Sequence, residues 1–93
     1  MTSFGTKLAW KVEYKAGVQK DVARFDTTVK RRLKKFLEEL AASDDPRVKG
    51  KAKQGVHGIW LYRVGDYRIE AEIHDKTITI LIFLIEHRSK VYR

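Results

Sequence analysis

Two alternating runs, separated only by Gly65-Asp66, determine how the middle of this chain can fold. Trp60-Leu61-Tyr62-Arg63-Val64 and Tyr67-Arg68-Ile69 place large apolar residues at every second position. A two-residue connection containing glycine between such runs is the signature of a tight β-hairpin. With Val64 paired to Tyr67, Arg63 must face Arg68. The same register puts Trp60, Tyr62 and Val64 with Ala71, Ile69 and Tyr67 on an apolar face. Ile59, Leu61 and Arg63 share the other face with Arg68, Glu70, Glu72 and His74. Two arginines directly opposite on one face of a sheet repel, which is a poor choice for stability unless an anion lies between them.

The flanking sequence supplies the elements that this hairpin packs with. Residues 1–6 read as a frayed arm. From Leu8 the pattern alternates, with Leu8, Trp10, Val12 and Tyr14 on one face, as in a half-buried strand. Val18, Val22 and Phe25 follow at helical spacing. Asp26 then offers an N-cap for a second helix with an apolar stripe of Val29, Leu33, Phe36, Leu37 and Leu40. Ser43-Asp44-Asp45-Pro46 ends it, because proline disfavours helical geometry at the residue before it. Residues 47–58, with Arg47, Lys49, Lys51, Lys53 and three glycines, read as a basic mobile loop. After a turn at Asp75-Lys76, Thr77–Ile85 is apolar on both faces, as expected of a central strand covered by helices. The order βααβββ predicts an α+β fold: an antiparallel twisted sheet with two N-terminal helices on one face, in a single domain over residues 1–93.

Composition restricts the chemistry. Twenty Lys and Arg against twelve Asp and Glu give a formal charge of +8, which favours a polyanionic partner such as nucleic acid, an anionic membrane or an acidic protein. Without cysteine there is neither a disulfide framework nor a cysteine-ligated metal site. His57 and His74 lack a second ligand at metal spacing, and the glycines near 50–58 do not fit a P-loop. No cofactor is expected. The N-terminal ten residues lack the apolar stretch of a secretory signal, and Ile78–Ile85 is far too short to span a membrane. A cytoplasmic chain without membrane attachment follows as the expectation.

Carrying the hairpin register through the Asp75-Lys76 turn sets Thr77 opposite His74 and Phe83 roughly opposite Arg68. His87 and Arg88 then emerge just past the hairpin tip. This predicts Arg63, Arg68, His87 and Arg88 at one end of the sheet, with Tyr92 within reach. Guanidinium forks match phosphate oxygens bidentately, and a histidine and a phenol beside them make an acid–base set. Lys49, Lys51 and Lys53 add attraction to phosphates that is independent of sequence. The plainer reading is solvated surface charge, with Arg68 neutralised by Glu70 and a polar tail at 87–93. In Lys30-Arg31-Arg32-Leu33-Lys34-Lys35 the basic residues flank a core leucine and face water, available to an acidic partner or to solvent.

These residues resemble the RelE/ParE superfamily of type II toxins. The resemblance rests on the βααβββ order, the basic glycine-bearing loop, Arg-Val-Gly-Asp-Tyr-Arg at Arg63–Arg68, and the strand leading into His87-Arg88 and ending Val91-Tyr92-Arg93. It implies a RelE-like microbial RNase fold and, for the RelE branch, an mRNA endoribonuclease acting in the ribosomal A site. There the ribose 2′-OH attacks the adjacent 3′ phosphate, without a metal, leaving a 2′,3′-cyclic phosphate. By position, Arg68 and Arg88 would stabilise the phosphorane, and Arg63 would contact phosphate or assist the leaving group. Tyr92 would serve as base or as a stacking group. A base role requires neighbouring cations to lower its phenol from a pKa of about 10. One family position departs: where a second basic residue often stands, this chain has Leu61, leaving Lys51, Lys53 or His87 to take over. The ParE branch shares the fold but inhibits DNA gyrase by binding. The implied partners are an acidic RelB-like antitoxin, the ribosome and mRNA, with operator DNA reached only through the antitoxin complex.

Overall fold

The hairpin is the middle of a five-stranded sheet in the computed structural model, which describes residues 10–91. The elements run β1 (Lys11–Tyr14), α1 (Val18–Ala23), α2 (Thr27–Ala42), a 3-10 turn (Pro46–Lys49), β2 (Lys51–Ala52), β3 (Ile59–Val64), β4 (Tyr67–His74), β5 (Thr79–His87) and α3 (Arg88–Val91). The expected arm at 1–6 and the strand start at Leu8 lie outside the described residues. Strand order is β1-β5-β4-β3-β2. β5 is therefore an interior strand, flanked by β1 and β4, in keeping with its two-sided apolar pattern. The sheet is antiparallel except where β1 joins β5 in parallel, Lys11 beside Thr79 and Tyr14 beside Ile82.

Local chemistry sets the helix that covers the sheet. The Asp26 carboxylate accepts a hydrogen bond from the Val29 N–H at 3.0 Å, satisfying one of the unpaired donors at the start of α2. Leu33, Leu37, Leu40 and Ala41 fall on its buried side. The Ser43 hydroxyl donates to the Leu40 carbonyl at 2.7 Å where the helix ends. This stripe meets Tyr62, Ile69, Ala71, Ile80, Ile82 and Ile85 from the sheet, with Val18 from α1. The face assigned from the hairpin register is the face that packs: Tyr62, Ile69 and Ala71 are buried.

Two expectations are corrected. The segment 47–58 is not simply a loop. It holds the 3-10 turn, capped by the Asp45 carboxylate on the Arg47 N–H, and a short edge strand that pairs Lys51 with Leu61 and Ala52 with Trp60. The β4–β5 register also differs. Thr79, not Thr77, faces His74, because the turn takes four residues and includes Ile78 at φ +49°. A β-branched residue is seldom left-handed, so Ile78 reads as strand in the sequence while serving as turn. A bulge between Glu70 and Ala71 adds a further residue, and Arg68 faces Glu86 in place of Phe83. Pairing within the first hairpin is as expected, Val64 with Tyr67 and Arg63 with Arg68. Gly65 has φ +59° and is followed by a residue of negative φ, the signs of a type II′ turn.

Gly50 joins the 3-10 turn to β2 with no room for a side chain. A Cβ there would lie 2.6 Å from the Leu61 carbonyl oxygen and 2.6 Å from the Tyr62 ring. Gly50→Ala is expected to destabilise by about 1–3 kcal/mol through overpacking, read as a lower urea midpoint at unchanged m-value.

Candidate functional site

The uncovered side of the hairpin opens into a groove of about 550 Å³. Arg63 and Arg68 stand directly opposite each other on its floor. Arg88 joins them at the junction of β5 and α3. Its N–H donates to the Asp66 carbonyl at 2.7 Å, and its guanidinium lies 3.8 Å from the Asp66 carboxylate. The hairpin tip thus holds the end of β5 against the arginine pair. Lys49 and Lys51 line the opposite wall. Because Lys51 pairs with Leu61, a lysine occupies the level of the sheet where the uncharged Leu61 stands. Among the described residues Arg63, Lys49 and Lys51 make no ion pair.

Lys53 is placed differently from the other loop lysines. Its N–H donates to the Ile59 carbonyl at 2.9 Å, and its Nζ reaches Glu70 Oε1 at 3.0 Å. The other Glu70 oxygen accepts from the Arg68 guanidinium. Glu70 is only 3% exposed, an environment that by itself pushes a carboxyl pKa up. The hydrogen bonds and charges of Lys53 and Arg68 outweigh that penalty and hold Glu70 below its ordinary value. It is a buried carboxylate between two cations, and Arg68 keeps its ionic partner while its buried Nε has no hydrogen-bond partner among the described residues.

His87 is not brought to this groove. The three-residue change in register is odd, and an odd slip moves a side chain to the other face. His87 pairs with Tyr67, meets its ring edge-on at 5.1 Å and places Nδ1 2.8 Å from the Ser89 hydroxyl. It lines a separate cavity on the helix side, beside Asp26 and Arg32. Tyr92 lies outside the described residues, directly after α3. A different phenol, Tyr62, borders the groove. Burial pushes its pKa up to about 12, and its hydroxyl donates to the Pro46 carbonyl at 2.8 Å, so it is a packing group and not a base.

The arrangement can bind a phosphodiester: three guanidinium groups and two lysines surround one groove, with buried Glu70 and the tip carboxylate Asp66 balancing part of the charge. A larger groove of about 800 Å³ between β1 and the helices is walled by Trp10, Val12, Leu33 and Leu37. Its charged lining residues are Lys11, Lys30 and Lys34 with Glu13 and Glu38, so cations there are mixed with carboxylates. Among the described residues no group of three His, Cys, Asp or Glu is placed to hold a metal ion. Sequence reading missed the Lys53–Glu70 contact, because the partners are 17 positions apart and the two-residue strand that aligns them leaves no periodic signal.

Residues 12–92 match the sequence model of the ParE toxin of type II toxin–antitoxin systems, parDE. No curated protein matches the chain at the sequence level. Solved structures match over most of its length. The RelE toxin of the intact E. coli RelBE toxin–antitoxin complex superposes with TM-score 0.74 at 20% identity, covering 85% of this chain and 96% of that one. The RelB–RelE antitoxin–toxin complex from Methanococcus jannaschii gives 0.70 at 27% identity, over 86% and 94%. The archaeal RelE–RelB complex from Pyrococcus horikoshii gives 0.70 at 25%, over 89% and 99%.

The Glu70 bridge makes stability depend on acid. A carboxylate whose folded pKa is depressed contributes stability above its ordinary value of 4.5 and loses that contribution as pH falls through the folded value. Urea unfolding of the wild type and of Glu70→Gln across this range is expected to show a wild-type advantage near neutrality. That advantage shrinks progressively below pH 4.5.

Proposed function

The chain belongs to the ParE toxin family of type II toxin–antitoxin systems, and from that premise we propose that it is a toxin that cuts mRNA in the ribosomal A site. The observation that carries this reading is the convergence of Arg63, Arg68, Arg88 and Lys51 on one open groove. A 2′-OH attacking the adjacent phosphate builds charge on the phosphorane oxygens. Preorganised cations at that point supply a large share of catalysis and need no metal. Arg68 and Arg88 take this role, Arg63 contacts phosphate, and Lys49 and Lys51 hold the flanking backbone. Lys51 takes over the basic function missing at Leu61. Tyr92 follows α3 and remains the candidate base or stacking group. The neutralising partner is an acidic RelB-like antitoxin. A net charge of +8 supports that pairing, as do the structural neighbours, which include RelE–RelB complexes. The toxin then works in the cytoplasm on ribosomes and mRNA, with operator DNA contacted through the antitoxin complex.

A second reading has its own support. The matching family description names ParE, and Leu61 lacks the charge expected of a RelE-type nuclease. In that reading the same basic groove serves a toxin that binds and inhibits DNA gyrase.

Primer extension on translating ribosomes separates the two. The wild-type chain is expected to produce A-site cuts, and Arg68→Ala or Arg88→Ala to slow them by about 10²–10³-fold, with gyrase supercoiling untouched. Intact mRNA together with lost supercoiling would establish the gyrase reading instead. Cuts that persist unchanged in both variants would remove these arginines from the mechanism.

A further inference from the structure

Three lysines follow one another in alternate positions at 49, 51 and 53, and composition alone assigns all of them to phosphate. The structure divides them. Lys49 and Lys51 are exposed on the wall of the arginine groove. Lys53 is half-buried and directed at Glu70, and together they line a neighbouring cavity with Ile59, Leu81 and Phe83. Glu70 stands two residues from Arg68 on the same strand face and accepts from its guanidinium, so the bridge Lys53–Glu70–Arg68 separates the two cavities.

We infer that Glu70 is a positioning residue that fixes the guanidinium of Arg68 toward its anion, and that Lys53 acts through Glu70 and does not contact the nucleic-acid backbone. An arginine side chain has several rotatable bonds and gives up considerable freedom to hold one geometry. Here the ordering is done before any anion arrives, because a buried carboxylate anchors one end of the fork. Arg63 faces Arg68 across the hairpin, and without an anchor mutual repulsion would drive the two guanidinium groups apart. Lys53 in turn supplies the second charge that keeps a carboxylate at 3% exposure ionised. The Arg68 side chain keeps 31% exposure, so it meets a ligand through the terminal nitrogens of its fork, while its Nε is buried and has no acceptor among the described residues. This inference rests on the groove being a phosphodiester site.

The experiment uses the full chain and a 2′-O-methylated oligoribonucleotide, which binds but offers no 2′-OH for cleavage. Affinity is measured against salt. Each phosphate contact on a single strand contributes about 0.7 to the slope of log K against log salt. Lys51→Met is expected to lower the slope by about that amount, and Lys53→Met to leave it unchanged. Cleavage on ribosomes by Glu70→Gln is expected to fall in kcat on the order of 100-fold with KM held within about twofold, since position and not binding is lost. In the free protein, the NMR signal of the Arg68 Nε–H is expected to be sharp and to broaden in Glu70→Gln while the backbone amide spectrum keeps its dispersion. If Glu70→Gln unfolds, Lys53→Met carries the test through the salt slope.

A reduced slope in Lys53→Met overturns the inference, as does wild-type kcat or an unchanged Arg68 Nε–H signal in a folded Glu70→Gln. If the wild-type chain neither binds the oligonucleotide nor cuts mRNA, the nuclease reading fails. The Arg68 signal then still decides whether Glu70 holds the guanidinium.

Discussion

The apolar seam between α2 and the sheet is the constraint from which the remaining architecture follows. Leu33, Leu37, Leu40 and Ala41 can be buried only against one face of the strands, and the period of two along a strand then sends every intervening residue to the other face. On β3 and β4 those intervening residues include Arg63, Arg68 and Glu70. The site is the complement of the core. Burial of Tyr62 and Ile69 on one side forces the arginines to the other, and the tight Gly65-Asp66 turn holds them level with each other.

Facing arginines then become an electrostatic problem with a local solution. Glu70 neutralises Arg68 from the adjacent position on the same face, Lys53 from the edge of the sheet keeps Glu70 ionised, and Asp66 lies beside Arg88. A buried ion pair gives little net stability, because desolvation offsets much of the Coulomb attraction. Its value here is conformational: one guanidinium is fixed while Arg63 stays exposed on the groove. Lys49, Lys51, Arg63, Arg68 and Arg88 thereby line one groove together.

Much of this was legible in the residues. The hairpin, its register and the Arg63–Arg68 pair followed from alternation and a two-residue turn. The α2 cap and stripe followed from Asp26 and the leucine spacing, and the interior place of β5 from apolar residues on both faces. Each of these signals is local, since propensity, period and turn chemistry act over a few residues. The family resemblance read from the same segments agrees with the match over residues 12–92.

Non-local pairing decided the rest. Ile78 carries the side chain of a strand residue but takes a left-handed turn conformation, and the bulge beside Glu70 inserts one residue more. Together they turned His87 toward Tyr67 and the helices, away from the groove where the sequence had suggested it. A two-residue strand, too short to show a period, set Lys51 level with Leu61 and allowed Lys53 to reach Glu70. The sequence by itself determined which residues share a face, because alternation is a property of one strand. Only the tertiary structure decided which strands bring those faces together, because register depends on turns and bulges whose energies are balanced across the whole sheet.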